Sequence, residues 1–384
     1  MRIKVVHVIT RLDYGGAQQN TLHTVSALDP NRFAAYLVCG RGGRLDQRTA
    51  ALARREMPVP IRFIDDLVRE VSPLRDLIAL LKIYRLLREI RPAIVHTHSS
   101  KAGVVGRLAA RLAGVPVILH TFHGFGFHER MPALLRAFFI MAERAVAACS
   151  TRLIFVSRAN MDYARECGIG DADKYRLIRS GVRLADLPAP LSDAEEKRQS
   201  IGAQRGTPLV VSVGNMKPQK NCGDFLKVAQ EVCRGASGAC FVFVGDGPLR
   251  REFAAEIESR GLRGRVVLLG WRDDVKEILA AADVFLLTSL WEGLPRALVE
   301  AMKSGLPCVA YAVDGVRDVL RDGENGYAVA PEDWKRAADR VSELLGSRDL
   351  RVRLGKAAAD SIGSEFDIDE MVRRQQDLYQ ELAG

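Results

Sequence analysis

Short apolar, β-branched runs alternate with amphipathic segments along this chain of 384 residues. In the first half, the apolar runs predict strands at 4–10, 35–39, 93–98, 115–121 and 152–157. The segments between them predict helices at about 17–28, 74–90, 101–113, 132–148 and 158–167. Continuously apolar strands that alternate with helices indicate a parallel sheet covered on both faces.

An interruption divides this pattern. Residues 183–208 contain three prolines and no strongly apolar run, which predicts a linker. The alternation resumes with predicted strands at 209–214, 239–245, 265–270, 283–289 and 307–312. The sequence therefore predicts an α/β protein with two doubly wound, Rossmann-like domains, 1–182 and 209–365, facing each other across a ligand-binding cleft. We expect the last helix, about 366–384, to pack back on the first domain.

The composition is that of a folded globular protein, with 48% hydrophobic residues and a mean hydropathy of -0.02. No apolar run is long enough to span a bilayer. The N-terminal MRIKVVHVIT contains His7 and lacks a small-residue cleavage site, so it predicts a first strand and a cytoplasmic location. Seven scattered cysteines without a CxxC pair predict reduced thiols rather than disulfides or a zinc site.

The charge is divided unevenly along the chain. Residues 1–185 carry 29 Lys and Arg against 15 Asp and Glu, a net charge of +14. The remainder carries 27 against 32, a net charge of -5. A basic half suits an anionic partner such as nucleic acid, a membrane surface or a phosphorylated substrate, and composition does not choose among them. No nucleic-acid recognition motif stands out.

Three glycine-containing turns follow predicted strands. VGNMKPQKN (213–221) places Lys217 and Lys220 ahead of a helix, which suits a phosphate site but also an ordinary polar turn with solvated lysines. In YGGAQQN (14–20), Gly15 and Gly16 allow close backbone approach to a ligand, or simply form a tight turn. VGDGPLRRE (244–252) resembles a dinucleotide fingerprint without its third glycine, and a nicotinamide-binding site is the weaker interpretation.

Histidines cluster at the ends of two predicted strands. HTHSSKAG (96–103) puts His96 and His98 on one side of a strand, yet no third metal ligand is evident. Ser99, Ser100 and Lys101, at the following helix start, suit an anion or a sugar better. In LHTFHGFGFH (119–128), His123 stands where the strand ends and faces the crevice, although a core or solvated histidine is the alternative. The acidic DAD (171–173) reads as a solvated turn.

The segment WEGLPRALVEAM (291–302) carries two carboxylates around a helix start. Glu292 lies in the loop at the crevice edge, and Glu300 lies in the second turn of a helix that begins near Pro295. Amides at a helix start attract phosphate, whereas carboxylates accept hydrogen bonds from hydroxyl groups. Two such acceptors around an anion site fit a sugar nucleotide: ribose, diphosphate and hexose.

Taken together, these motifs resemble those of the retaining glycosyltransferases of family four, in the expected order and over nearly the whole chain. The branch that builds capsule or exopolysaccharide repeat units is the most similar. The resemblance implies a GT-B fold and metal-independent transfer of a sugar, with retention, from a nucleotide-sugar donor to a lipid-linked glycan acceptor. It favours a UDP-sugar over a GDP-sugar as the donor and implies no cofactor.

The resemblance also implies roles for individual residues. Catalysis would rest on His123, Glu292 and Lys220. The donor side would comprise Gly15, Gly16, Asn215, Lys217, Lys220, Trp271, Glu292, Gly293, Leu294, Pro295 and Glu300, with Glu300 on the ribose and Lys220 on the diphosphate. The acceptor side would comprise His98, Ser99 and Lys101. Asn215 stands where many members carry Arg, so Lys217 supplies that charge or phosphate binding is weaker.

Two other functions and one location remain open. A sugar-nucleotide epimerase shares this architecture, and a non-catalytic sugar-nucleotide sensor would bind without turnover. Residues 129–147 form an amphipathic segment with arginines beside leucine and phenylalanine. Such a helix lies on an anionic membrane or packs on its own sheet. On the first interpretation the protein is peripheral, at the inner face of the cytoplasmic membrane.

Overall fold

Two parallel sheets form from the apolar runs in the computed structural model of the chain, which describes residues 2–47, 59–187, 193–235 and 238–384. The chain separates into two units, each described here by itself. The first comprises Met1–Gly181 with Ile368–Gly384, and the second comprises Val182–Asp367. The described parts of 183–208, expected to form a linker, cluster with the second unit and include a short helix.

The first unit is built on a sheet of seven described strands in the order β3-β2-β1-β4-β5-β6-β7. Its strands are β1 (Ile3–Arg11), β2 (Phe33–Gly40), β3 (Ile61–Phe63), β4 (Ile94–His98), β5 (Val117–Phe122), β6 (Arg152–Phe155) and β7 (Tyr175–Leu177). Its helices are α1 (Gly16–Ala27), α2 (Pro73–Ile90), α3 (Ser100–Ala113), α4 (Ala133–Ala148) and α5 (Arg158–Glu166). The strand order reverses between β1 and β4, which makes their carboxyl ends the topological switch point.

The second unit repeats this architecture with six described strands in the order β10-β9-β8-β11-β12-β13. They are β8 (Leu209–Val213), β9 (Cys240–Val244), β10 (Val266–Gly270), β11 (Val284–Leu287), β12 (Cys308–Tyr311) and β13 (Tyr327–Val329). The helices are α6 (Ala194–Ser200), α7 (Cys222–Arg234), α8 (Arg250–Ser259), α9 (Val275–Ala280), α10 (Arg296–Lys303), α11 (Trp334–Gly346) and α12 (Arg348–Ser361). Here the switch point lies between β8 and β11.

The final helix, α13 (Ile368–Ala383), completes the first unit rather than the second. It packs beside α1, and its Met371, Val372 and Leu378 join Val5 and Ile94 in the core under the sheet. Its Tyr379 is fully buried, and the Tyr379 hydroxyl group is hydrogen-bonded to Nδ1 of the His96 ring at 2.5 Å. The chain end is therefore fixed by both apolar and polar contacts.

A buried ion pair joins two helices on the other face of this sheet. The Arg107 guanidinium on α3 donates to the Glu143 carboxylate on α4 at 2.5 Å, and their side chains are 0% and 5% exposed. Arg107 also donates to the Gly103 carbonyl oxygen. A charge buried at this depth is stable only when paired, so the contact fixes α4 against α3.

Two simpler expectations, the acidic turn and the reduced thiols, are confirmed. The DAD segment forms an exposed 3₁₀ turn over Ala172–Lys174. The seven cysteines, all within the described residues, carry free thiols. Burial raises the pKa of Cys39 and Cys222 to about 12 each, so both thiols stay protonated. Across the described residues, none of the helices combines the length and the apolar character needed to cross a membrane.

Candidate functional site

The loops at the switch point of the second unit bring the two predicted reactive side chains together. Lys220 ends a 3₁₀ turn after β8, and Glu292 lies in the loop after β11. The Lys220 ammonium donates to Glu292 Oε1 at 2.5 Å, with side-chain exposures of 16% and 8%. A Cβ at Gly214 would lie 2.8 Å from Lys220 Cε, so this glycine leaves room for the lysine side chain.

Hydrogen bonds tie these two loops to each other. The Leu290 amide donates to the Gln219 carbonyl oxygen at 2.8 Å, and Gln219 Nε2 donates to the Trp291 carbonyl oxygen at 2.7 Å. Thr288 Oγ1 donates to the carbonyl oxygens of Lys220 and Asn221. The lysine and the carboxylate are therefore held by backbone contacts as well as by their own pairing. Sequence reasoning missed both residues, because Gln219 is the uncharged neighbour of Lys220 within VGNMKPQKN and Thr288 lies at the end of a predicted strand.

A third loop, after β12, supports Glu292 from the other side. The Glu292 amide donates to Asp314 Oδ2 at 2.7 Å. A Cβ at Gly315 would overlap the Gly293 carbonyl oxygen, so only glycine allows the two loops to approach this closely. The sequence offered one signal for this contact, the Asp-Gly pair directly after an apolar strand.

Helix α10 begins at Arg296 after Pro295 and carries Glu300 one turn further along. Arg296 Nη2 lies 3.6 Å from Glu300 Oε1, and the two side chains are 15% and 18% exposed. Burial raises the pKa of Glu300, and the positive charge of Arg296 partly opposes that shift. Gly293, Leu294 and Pro295 are buried beside the helix start.

The VGDG segment has a structural role that the fingerprint interpretation did not foresee. Gly245 has a φ of +133°, and a Cβ there would overlap the Gly214 carbonyl oxygen. The Met216 amide donates to the Asp246 carbonyl oxygen, so this loop supports the loop that holds Asn215 and Lys217. Trp271 directly follows β10, two strands from β8 in the sheet.

In the first unit, the end of β1 and the residue after β4 meet at its own switch point. Ser99 has a φ of +65°, unusual for a residue with a side chain, and its Oγ lies 2.7 Å from Thr10 Oγ1. Gly15 and Gly16 begin α1 after β1, where both backbones are at least partly exposed. Lys101 donates to Asp76 Oδ1 at 2.5 Å and to the Glu70 carbonyl oxygen at 2.6 Å. Lys101 therefore ties α3 to α2 in this structure.

Four histidine rings lie side by side within the first unit. The His96 and His98 ring centroids are 4.2 Å apart, which confirms that both face the same side of β4. The expectation of no third nearby ligand was wrong, because His7 on β1 brings a third set of ring nitrogens within 4.8 Å of theirs. His98 Nδ1 also lies 3.1 Å from His123 Nε2. Burial lowers the pKa of His7 to about 3 and that of His123 to about 4, so both rings are neutral.

Comparison with known proteins identifies the family. Residues 15–181 match the family described as glycosyl transferase 4-like domain, and residues 193–361 match glycosyl transferases group 1. The chain is 31% identical over 381 residues to the Escherichia coli UDP-Gal:alpha-D-GlcNAc-diphosphoundecaprenol alpha-1,3-galactosyltransferase, covering 98% of this chain and 97% of that one. The chain belongs to the group 1, GT4-type glycosyltransferases.

Two further relatives agree with this assignment. The putative glycosyltransferase EpsD of Bacillus subtilis is 29% identical over 289 residues, which cover 72% of this chain and 74% of that one. The crystal structure of Anabaena Alr3699/HepE in complex with UDP and glucose superposes with a TM-score of 0.83 at 20% identity, covering 99% and 100% of the two chains. The predicted GT-B fold is confirmed, and glycosyl transfer is favoured over the epimerase and the non-catalytic alternatives.

The close contact between Gly315 and Gly293 predicts that a larger residue at position 315 destabilises the second unit. We expect Gly315→Ala to force apart the loops after β11 and β12, at a cost of roughly 1–3 kcal/mol in unfolding free energy. The three tryptophans, Trp271, Trp291 and Trp334, all belong to the second unit. Their fluorescence emission during denaturation therefore measures the decrease in unfolding free energy. Glycosyl transfer should fall as well.

Gly346→Ala is the matched control for this test. Gly346 is the last residue of α11, and a Cβ there would meet nothing within 4 Å. Equal denaturation midpoints for the two variants would show that the loops separate without cost.

Proposed function

We propose that this glycosyltransferase moves a sugar from a UDP-sugar to a lipid-linked glycan diphosphate, with retention of configuration and without a metal ion, in surface polysaccharide synthesis. The observation that carries the proposal is the full-length similarity to the E. coli enzyme, whose name specifies a UDP-galactose donor and a diphosphoundecaprenol acceptor. The UDP and glucose bound to the Anabaena neighbour support a uridine donor over a guanosine donor.

Lys220 and Glu292 would divide the donor between them. In their pairing each group neutralises the other, with nitrogen and oxygen 2.5 Å apart. A diphosphate entering beside Lys220 offers the ammonium a stronger partner, because it carries more than one negative charge. Glu292 is then free to accept hydrogen bonds from sugar hydroxyls. Asn215, Lys217 and Trp271 belong to the same proposed donor side, as do Gly15 and Gly16 of the first unit.

Glu300 would hold the ribose. Its carboxylate stands one helical turn beyond the α10 N-terminus, where the helix dipole attracts phosphate. A ribose diol donates two hydrogen bonds, which suits an acceptor-only carboxylate. Burial raises the pKa of Glu300, and the positive charge of Arg296, 3.6 Å away, opposes that shift. In its ionised form the carboxylate would accept hydrogen bonds from a neutral diol.

The chemical step would rest on electrostatic stabilisation of the leaving diphosphate. Lys220, helped by Lys217 and the α10 amides, would stabilise the charge that develops as the glycosidic phosphate bond breaks. The acceptor hydroxyl would attack from the same face and pass its proton to the departing phosphate, so no protein base is required. His123 would contact the transferred sugar near the reacting carbon, and His98, Ser99 and Lys101 would belong to the acceptor side.

Nucleotide specificity tests the donor assignment. Among UDP, GDP, ADP and NAD, we expect only UDP to stabilise the protein, by roughly 2.7 kcal/mol at one hundred times its dissociation constant. Glu300→Gln should lose most of that gain in a thermal-shift assay. UDP affinity should fall on acidification, starting at a higher pH than for an ordinary carboxyl group because the pKa of Glu300 is raised. That pH dependence should be absent from Glu300→Gln.

Glu324→Gln serves as the control, since Glu324 is an exposed glutamate of the second unit that pairs with Arg321. Stabilisation by NAD alone would contradict the donor assignment and return the VGDG loop to consideration. Unchanged UDP binding by Glu300→Gln would remove Glu300 from the ribose site.

Lys220 provides a second test through turnover. Lys220→Ala should lower kcat by roughly 10²–10³-fold, the range found when a single group that stabilises transition-state charge is removed. Lys335→Ala, which alters an exposed lysine on α11, should retain wild-type turnover. Transfer by the wild type should persist in EDTA, because the proposed charge stabilisation comes from the protein. Full activity of Lys220→Ala, or loss of transfer in EDTA, would contradict this mechanism.

An anionic membrane surface is the proposed location, and exposed apolar side chains of the first unit support it. Leu134, Phe138 and Met141 recur at helical spacing on α4 and are 89%, 57% and 66% exposed. Leu74, Leu77 and Leu81 form a similar stripe on α2, and Leu108 and Leu112 lie on α3 between them. Exposed apolar stripes on three neighbouring helices of a basic domain suit a membrane interface.

Vesicle binding tests this location. We expect Phe138→Asp to weaken binding to vesicles with anionic lipid by about tenfold or more, the loss anticipated for one buried aromatic ring. Val352→Asp is the matched control, because Val352 is a 63% exposed valine on α12 of the second unit. Binding should weaken as salt increases. Equal binding by both variants would contradict a membrane role for α4.

A further inference from the structure

Three histidines of the first unit form a continuous chain of hydrogen bonds. His7 Nδ1 lies 3.1 Å from His98 Nε2, and His98 Nδ1 lies 3.1 Å from His123 Nε2. These hydrogen bonds run from His7 in the middle of β1, through His98 at the end of β4, to His123 directly after β5. The His7 and His98 rings are stacked with an interplanar angle of 8°. The first link therefore joins rings on two neighbouring strands, and the second joins a strand residue to the first residue of a loop.

His96 lies against this chain without belonging to it. Its Nδ1 is 2.5 Å from the Tyr379 hydroxyl, and its Nε2 is 2.7 Å from Thr121 Oγ1. Both of its ring nitrogens are thus engaged by hydroxyl groups. This pattern accounts for the imidazole cluster as a hydrogen-bonded network, against which the His96 ring packs on His7 and His98.

Because the three imidazoles are neutral, both hydrogen bonds between them must point the same way, from donor to acceptor. Burial lowers the pKa of His98 well below its usual range, as it does for the other two rings. A neutral ring carries one N–H and one bare nitrogen, so a donor at one link requires an acceptor at the next. Two arrangements result. Either His123 carries its hydrogen on Nδ1 and His7 Nε2 is bare, or His7 carries it on Nε2 and His123 Nδ1 is bare.

The two ends of the chain are not equivalent. Within the described residues, His7 Nε2 and His123 Nδ1 are both buried atoms to which no protein group is hydrogen-bonded. His7 is 0% exposed in the sheet, where a ligand has no access. His123 is only partly buried, in the loop after β5. An unsatisfied N–H is costly in the interior, so the hydrogen belongs at the His123 end, where the residue is partly exposed and the proposed sugar substrate would supply an acceptor.

We propose that His7 and His98 are positioning residues that hold His123 in its Nδ1–H tautomer, so that His123 donates a hydrogen bond to an oxygen of the sugar substrate. This inference rests on the proposed function, which places His123 against the transferred sugar. The hydrogen-bond order runs from His7 Nδ1–H to His98 Nε2, and from His98 Nδ1–H to His123 Nε2. The tautomer of a partly exposed ring is thereby set by a residue in the core.

Nitrogen-15 NMR of histidine-labelled full-length protein tests the inference, because the seven histidines give separable ring signals. The signal lost in His123→Gln identifies His123. In the wild type we expect the Nδ1–H tautomer at His123. In His7→Leu, which removes the first donor, we expect a mixture of tautomers and a fall in kcat of roughly 10- to 100-fold. His7→Asn, which keeps an amide donor near His98 Nε2, should restore most of the Nδ1–H tautomer at His123 and most of kcat.

His120→Leu is the matched control. His120 is another buried histidine, on β5. Its Nδ1 lies 2.9 Å from Thr97 Oγ1, and it does not belong to the hydrogen-bonded series of His7, His98 and His123. It should leave the His123 signal and kcat unchanged. An Nε2–H tautomer at His123 in the wild type would overturn the inference without any variant, and so would an unchanged His123 signal in His7→Leu. Full transfer by His123→Gln would overturn it through the proposed function instead, whatever the tautomer.

Discussion

Burial of both faces of each parallel sheet is the constraint on which the rest of the structure depends. Strands that helices cover on both sides exclude water, so their side chains are apolar and polar chemistry collects where the strands end. Lys220 and Glu292 occupy those ends beside β8 and β11 in the second unit, and Ser99 and His123 follow β4 and β5 in the first. The loops after β8 and β11 are hydrogen-bonded to each other, which gives flexible side chains such as Lys220 a fixed place.

His7 and His96 are exceptions to this rule, since both lie inside strands of the first sheet. Hydrogen bonds at His7 Nδ1 and at both ring nitrogens of His96 replace water that these rings have lost. The same burial that keeps the rings neutral also makes each nitrogen's role, donor or acceptor, depend on its neighbour. Tyr379 extends this dependence to α13, so the final helix contributes to the polar interior of the first unit as well as to its apolar core.

The sequence predicted the long elements and the motif residues for the same physical reason. Strands buried on both faces appear as uninterrupted apolar runs, and β1, β4, β5, β8, β9 and β11 were all anticipated from such runs. β3, β7 and β13 have only three residues each, too few to form a recognisable run. The pairing of His7 with His98 spans 91 residues, and the support of Glu292 by Asp314 depends on how two loops meet. The spacing of residues within a motif cannot reveal either of these contacts. By contrast, the two-residue spacing of His96 and His98 correctly predicted that both lie on one side of β4.

The Lys220–Glu292 pair shows why the proposed site needs both charges at once. Removing one partner of a largely buried pair leaves the other charge uncompensated, and that cost commonly exceeds the strength of the pair itself. In the proposed function, a diphosphate would replace the carboxylate beside Lys220 while sugar hydroxyls replace the ammonium beside Glu292. Neither charge would then be buried alone, before or after the donor binds. The pair thus holds the two groups in place between turnovers, and a substitution at either residue would disturb the other. For this reason, their contributions to catalysis should be separated with a double-mutant cycle rather than added.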